Sequence, residues 1–261
     1  AMGANDAQTV KAIKEAEAYD TWLSEPKNQY WVEMEIRLMM SLLEPQKGQR
    51  ILDIGCGTGA SLEPLMDMGL NLTGIDPSPY MLDIADKKFE QSVDFHRGVG
   101  EELPFEDNAF ESAFFVTSLE FMDRPAKAIE EACRVARERV VICVWNRYAI
   151  LNIIRRCKGF FVNTIYTQAN FFSISELKQM LFSILGNVPV VSKTTFQFPF
   201  LSGPWVAKVE NNRFIQKSCF GTLIGIMIQP VPKFRARPLA LKIKEPAIYS
   251  PATGLATRSK S

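Results

Sequence analysis

The chain has 261 residues, 47% of them hydrophobic and 23% charged, with a formal net charge of +1. A chain of this length holds one large domain, or one domain with a small lid, and its apolar fraction fills a core without disulfides. The near-neutral balance predicts no nucleic-acid or membrane-surface partner, and five Cys without paired spacing suit a reducing compartment.

Ala1-Met2-Gly3 reads as a remnant of cloning ahead of a native start. Thr9 to Glu17 alternates Lys and Glu with Ala and Ile and makes no signal peptide. The longest apolar run, Thr222 to Val231, is strand-sized and ends at prolines, so no membrane span is expected and the protein is read as soluble and cytoplasmic. Thr9–Leu43 is predicted helical with a break near Pro26, because Val32, Ile36, Leu38, Met39, Leu42 and Leu43 recur at helical spacing. Arg50–Ile54 is a short apolar strand, Gly55–Gly59 a glycine turn, and Ser61–Asp67 a helix with Pro64 in its first turn. Leu70–Ile75, Val93–His96 and Phe110–Val116 follow as strands, with a helix from Ser78 after the first of them. A helix from Pro125 to Glu138 then leads to a fifth strand, Val140–Trp145. Strands alternating with helices predict a parallel, doubly wound sheet with right-handed crossovers.

Past Asn146 the rhythm loosens. Tyr148–Arg156 is predicted helical, Ser173-Ile174-Ser175-Glu176 is a capping box opening a helix to Leu185, and Val188–Ser192 and Thr222–Gln229 complete the strands. Between those strands lie an aromatic stretch, Phe196–Trp205, and a polar helix candidate near Asn211. After Pro232 the basic, Ser- and Pro-containing tail is expected to be partly mobile.

The segment Ile51-Leu52-Asp53-Ile54-Gly55-Cys56-Gly57-Thr58-Gly59 is the most informative. A buried strand enters a turn of alternating glycines, which lets a ligand approach the backbone closely, and Asp76 ends the next strand, roughly 20 residues on, where an acid accepts ribose hydroxyls. Such a pair suits any adenosine-bearing cofactor. The dinucleotide pattern is G-x-G-x-x-G, whereas the spacing here is G-x-G-x-G, and the Asp53 carboxylate just upstream would repel a pyrophosphate. A cationic amino-acid ligand suits it better, which favours S-adenosylmethionine over NAD.

These residues, with Gly74-Ile75-Asp76-Pro77-Ser78-Pro79-Tyr80-Met81-Leu82 and Glu101-Glu102-Leu103-Pro104-Phe105, resemble class I methyltransferases of the type 11 domain subgroup, similar to those of ubiquinone and menaquinone biosynthesis. Tyr19-Asp20-x-Trp22 resembles an opening common upstream in that group. The resemblance spans about Tyr19 to Arg147 and implies a Rossmann-like, mostly parallel seven-stranded α/β sheet with N-terminal helices and a lid insertion. It implies that Gly55, Gly57 and Gly59 pass beneath S-adenosylmethionine, with Asp53 and Thr58 near its methionine part. Asp76 would hold the ribose, Met81 would pack on the adenine, Gly100 and Glu101 would meet the adenine edge, and Thr117 and Ser118 would lie under the methionine chain. The sequence departs from the pattern at Val99 and Gly100, where relatives carry Asp or Asn, and at Arg134-Val135-Ala136-Arg137-Glu138-Arg139, where they carry a glycine turn.

The expected organisation is a helical cap over 1–45, a methyltransferase domain over 46–232 with lid insertions at 146–172 and 194–220, and a basic tail over 233–261. The reaction expected is in-line methyl transfer to a small apolar or aromatic molecule, with Tyr19, Trp22, Trp145, Tyr148 and Phe172 around the acceptor. Tyr19, Tyr148 and Glu120 are the candidates for a general base, and none is assigned. A catalytically silent cofactor-binding or interaction protein, and an NAD-dependent oxidoreductase, stay open at this point. His96 and Cys56 are read as structural, Cys157 and Cys219 leave a thiol-dependent metalloid methyltransferase open, and no metal-ligand cluster is seen. The sequence does not indicate an oligomeric state.

Overall fold

Residues 4–149, 169–195 and 221–230 are described in the computed structural model. The N-terminal apolar spacing forms two helices, α1 (Ala4–Ser24) and α2 (Pro26–Leu43). Pro26 opens α2 because its missing N–H is one that no helix start can satisfy, and Glu44 closes it in a left-handed conformation with its N–H on the Met40 carbonyl. The strands are β1 (Arg50–Ile54), β2 (Asn71–Asp76), β3 (Asp94–Arg97), β4 (Phe110–Val116), β5 (Ala136–Trp145), β6 (Val190–Thr195) and β7 (Leu223–Ile228). They are joined by α3 (Pro79–Phe89), α4 (Pro125–Val135) and α5 (Ile174–Leu185).

The seven strands form one sheet in the order β3-β2-β1-β4-β5-β7-β6. The first five pair in parallel, and β7 runs antiparallel to both β5 and β6. The doubly wound sheet expected from the alternation is therefore present, in the mostly parallel, seven-stranded, Rossmann-like form that the resemblance implied. Side chains alternate between its two faces. Leu52, Ile54, Phe115, Ile142 and Val144 pack with α4 and α5, while Ile51, Phe114, Val141 and Cys143 pack with α2 and α3. From β1 the chain first builds outward to β3, then returns to place β4 on the other side of β1. That reversal opens a crevice beyond the carboxyl ends of β1 and β4, where open α/β sheets bind ligands.

Two predicted boundaries differ for physical reasons. The segment after the glycine turn is a short 3-10 helix, Glu63–Met68, rather than an α-helix over Ser61–Asp67. Bonds from Gly59 N to Cys56 O, Leu62 N to Gly59 O and Leu65 N to Leu62 O wind the approach in three-residue steps, and Gly69 in the left-handed region stops it. The helix predicted to Glu138 ends at Val135, and β5 starts at once. Long-range partners outweigh the helix propensity of Ala-Arg-Glu-Arg: Ala136 pairs with Phe110, Arg137 bridges to Glu111 at 2.8 Å, and Arg139 reaches Glu44 at 2.7 Å. The capping box forms as predicted, with the Ser173 hydroxyl accepting from Glu176 N and the Glu176 carboxylate accepting from Ser173 N. Nearly all of the helix predicted for Tyr148–Arg156 lies outside the described residues, as do the aromatic stretch at 196–205, the helix near Asn211 and the tail after Pro232.

Candidate functional site

The crevice at the β1/β4 reversal is a cavity of about 490 Å³, roofed by α1 and α2. At its floor the chain leaves β1 through Gly55 (φ +76) and Gly57 (φ +53). A Cβ at Gly55 would lie 2.5 Å from the Ser118 Cβ, so the ends of β1 and β4 meet only because position 55 has no side chain. The Ser118 hydroxyl closes the junction by donating to the Ile54 carbonyl at 2.6 Å. Around a Cβ at Gly57 the nearest neighbour would be Tyr19 at 3.8 Å, leaving that face of the turn open to the cavity.

On the β2 side, Asp76 is held by two backbone donors: Gly57 N–H reaches one carboxylate oxygen at 3.0 Å and Ser78 N–H the other at 2.9 Å. Burial pushes its pKa up, and those two hydrogen bonds oppose the shift. Met81 follows on the first turn of α3, capped by the Ser78 hydroxyl, and both line the cavity with Asp76. The far lip is Gly98-Val99-Gly100-Glu101. The Glu101 carboxylate accepts from Arg124 N–H at 3.1 Å. The loop behind it is pinned to α4, with Leu103 N–H on Glu131 at 3.1 Å and the Arg134 guanidinium on the Leu103 and Phe105 carbonyls.

On the β4 and β5 side, Thr117 lines the cavity at φ +47, a left-handed conformation that is costly for a β-branched residue and of a kind that collects at functional sites. Trp145 ends β5 and meets Phe121 edge-on, with ring centroids 6.0 Å apart. Its indole N–H donates to Glu35 of α2 at 3.4 Å. Glu120 stands behind Trp145, fully buried, with one carboxylate oxygen accepting from Trp145 N–H at 2.7 Å and the other unpartnered. Burial is the main cause that raises its pKa from 4.5 to about 8, with nearby Glu35 adding to it and the Trp145 hydrogen bond opposing.

A carboxyl whose folded pKa lies above its unfolded value stabilises the fold below the unfolded pKa, and that contribution is lost as pH rises through the folded one. The protein should therefore lose stability between about pH 4.5 and 8 through Glu120. Glu120→Gln keeps a neutral, isosteric group and should make this loss smaller. Urea midpoints of both proteins at pH 5 and pH 8 check it, and equal losses would refute the assignment.

The structure brings eleven of the sequence-predicted residues to this one cavity: Tyr19, Trp22, Gly55, Gly57, Asp76, Met81, Gly100, Glu101, Thr117, Ser118 and Trp145. The other predicted residues lie elsewhere. Asp53 is buried behind the turn, bonded to the Ser61 hydroxyl, and burial raises its pKa to about 7. Thr58 lines a smaller adjoining recess of about 60 Å³, and its buried hydroxyl has no partner. Gly59 faces the Phe89 ring, 2.3 Å from where a Cβ would stand. Phe172, predicted at the acceptor, is drawn instead into the core, where its N–H bonds the Trp145 carbonyl. Tyr148 is 56% exposed and outside the cavity wall, so of the three base candidates only Tyr19 faces it. His96 pairs with Asp94 on β3, and burial pushes the Cys56 thiol far up, which makes it unreactive. Cys157 and Cys219 are outside the described residues.

Sequence reasoning missed Glu35. Its signal was present: on α2 it shares a stripe with Val32, Ile36 and Met39, an acid in an otherwise apolar row.

Residues 52–144 match the profile of a family described as a methyltransferase domain. The chain is 37% identical over 101 residues to a demethylmenaquinone methyltransferase of Renibacterium salmoninarum, a match covering 39% of this chain and 42% of that protein. It thus spans under half the length of that relative. It is 33% identical over 171 residues to an uncharacterized protein of Methanocaldococcus jannaschii, covering 64% of this chain and 77% of that one. The solved structure of a Thermotoga maritima SAM-dependent methyltransferase, titled a possible histamine N-methyltransferase, superposes with a TM-score of 0.67 at 26% identity, over 84% of this chain and 97% of that one.

Proposed function

This chain belongs to the class I S-adenosylmethionine-dependent methyltransferases, in the type 11 domain subgroup, and from that premise we propose that it methylates a small acceptor with an apolar or aromatic body. The observation that carries the reading is one continuous cavity running from Asp76 across the open face of Gly57 to Thr117 and Trp145. Its volume, about 490 Å³, falls in the roughly 300–1,000 Å³ range of small-molecule sites.

The residues present fit the cofactor. Asp76 has both oxygens fixed by backbone donors, and each keeps a lone pair for a ribose hydroxyl. The bare Gly57 face admits a ligand against the backbone, and the orphan Thr58 hydroxyl awaits a polar partner in the adjoining recess. Met81 and the Gly98–Glu101 lip would flank the adenine, and Thr117 and Ser118 the methionine chain. When bound, S-adenosylmethionine supplies an activated methyl group, which the acceptor's lone pair takes in line. The protein's share is then to align and to exclude water: Tyr19, Trp22, Phe121 and Trp145 wall the acceptor end. Proximity and orientation alone contribute about 7–11 kcal/mol, and of the three base candidates only Tyr19 lies in this wall.

The test is calorimetric titration with S-adenosylhomocysteine, followed by incubation with methyl-labelled cofactor and an extract of small molecules. A saturable heat and labelled product are expected. No heat and no thermal shift would overturn the reading, and binding without transfer to any acceptor would leave a silent binding module.

A further inference from the structure

We infer that Val99 sets how this site reads the cofactor's base: the adenine ring is recognised without its exocyclic amino group, and congeners substituted on that nitrogen are accepted. The inference rests on the methyltransferase reading above and names a specificity-determining residue for its cofactor.

The backbone leads directly from Asp76 to Val99. β3 pairs in parallel with β2, Arg97 stands opposite Asp76, and the Gly98 N–H donates to the Asp76 carbonyl at 3.1 Å. From Asp76 the cavity therefore extends in two directions. One crosses Gly57 toward Thr117 and Trp145, the way to the methionine chain and the acceptor. The other ends between Met81 and the Gly98–Glu101 lip, the side left for the base.

The lip has little to offer an amino group. Its two glycines are pressed onto the core: a Cβ at Gly98 would lie 2.8 Å from Ile75 Cδ1, and one at Gly100 would lie 2.9 Å from Met122 Cε. Val99 between them lines the cavity with a side chain 45% exposed. Its carbonyl accepts from Glu102 N–H at 3.3 Å. Glu101 is buried, with its carboxylate on Arg124 N–H at 3.1 Å, and Asp123 is exposed at the mouth. The side chain at the centre of the lip is thus an isopropyl group.

A hydrogen-bonding site rejects an analogue lacking the matching N–H because a buried group is then left unpaired, an effect of about 10⁴–10⁵ at its largest. Val99 has no acceptor to leave unpaired. Being half in water, it also lets an amino group beside it stay hydrated, and a substituent there extends toward solvent. The ring itself meets Met81, whose polarizable thioether suits an aromatic surface whatever the substituent.

The experiment titrates the full chain, by calorimetry, with S-adenosylhomocysteine and with its derivative dimethylated on the exocyclic nitrogen. That derivative keeps every ring nitrogen and has no N–H to donate. The two are expected to bind wild type within about threefold of each other. Val99→Asp puts a charged acceptor at the lip and should widen the preference for the unmethylated compound to at least about tenfold. Position 99 is exposed enough to tolerate the change, and Val99→Asn supplies an uncharged acceptor if the first variant does not fold. A loss above about threefold on dimethylation in wild type would show that a lip carbonyl or Asp123 reads the amino group, and would overturn the inference. A preference that fails to widen in a folded variant would overturn it as well, by placing the base away from Val99. Failure of wild type to bind S-adenosylhomocysteine is a different result, and it would remove the methyltransferase reading itself.

Discussion

Asp76→Ala will lower the affinity for S-adenosylhomocysteine at least about a hundredfold, a change of about 2.7 kcal/mol. The carboxylate is half-buried at the end of β2, and its two oxygens are aimed by Gly57 and Ser78 N–H groups before any ligand arrives. Each charge-assisted hydrogen bond to a ribose hydroxyl contributes about 1.5–3 kcal/mol, so losing both exceeds the hundredfold mark even after partial compensation by water. Asp76→Asn keeps the shape and one acceptor and should fall between the two proteins. Titration calorimetry gives the affinities and thermal melts report the fold. A folded Asp76→Ala protein that binds within threefold of wild type would show that the ribose is held elsewhere.

Phe114→Ala will cost about 3–5 kcal/mol of stability, the usual range for truncating a fully buried Phe. Phe114 is 0% exposed, on the central strand β4, and packs with Met39, Ile51 and Val141 beneath α2. β4 is hydrogen-bonded to β1 on one side and β5 on the other, so the backbone cannot settle into the space left behind. Val191→Ala on β6, 43% exposed, removes apolar atoms where water already reaches and should change stability by no more than about 0.5 kcal/mol. Urea denaturation of the three proteins tests the contrast, and a Phe114→Ala loss below about 1.5 kcal/mol would mean that the site collapses around the gap.

The elements legible in the sequence were those whose signals are local. A strand running into Gly55-Cys56-Gly57, an acid ending the next strand, and a capping box at Ser173 each place several constraints within a few residues. The cavity floor was therefore located from sequence, along with the Tyr19 and Trp22 roof. What escaped depends on distant partners. Nothing near Arg137 announces that Glu111 and Phe110 will draw its segment into β5. Nothing near Phe172 announces that its neighbour across an isolated bridge is Asn146, which turns the ring into the core and away from the acceptor. Asp53 was assigned by the charge it carries, yet Ser61 takes that carboxylate behind the turn. Glu35 was hidden because an acid on an amphipathic helix is ordinarily solvated. Only the roofing of the crevice by α2 gives it a cavity to face.

The strand order also sets a timetable for synthesis. Among the described strands β6 pairs only with β7, and β7 is made about 30 residues later, a count that follows from Val190–Thr195 and Leu223–Ile228. As the chain leaves the ribosome, the five parallel strands can assemble with α4 against them, while β6 has no strand to join. When β7 emerges it must enter between β5 and β6, and Gly225 must slide under Leu38 and Leu42 of α2, where a Cβ would lie 2.6 Å from the Leu42 side chain. One of the last stretches of the sheet to be made thus clamps one of the first helices. A nascent chain stopped before residue 223 would carry the whole glycine turn and Asp76, yet leave bare the outer edge of β5 and the part of α2 around Leu38 and Leu42 that β7 covers, a state suited to capture by chaperones.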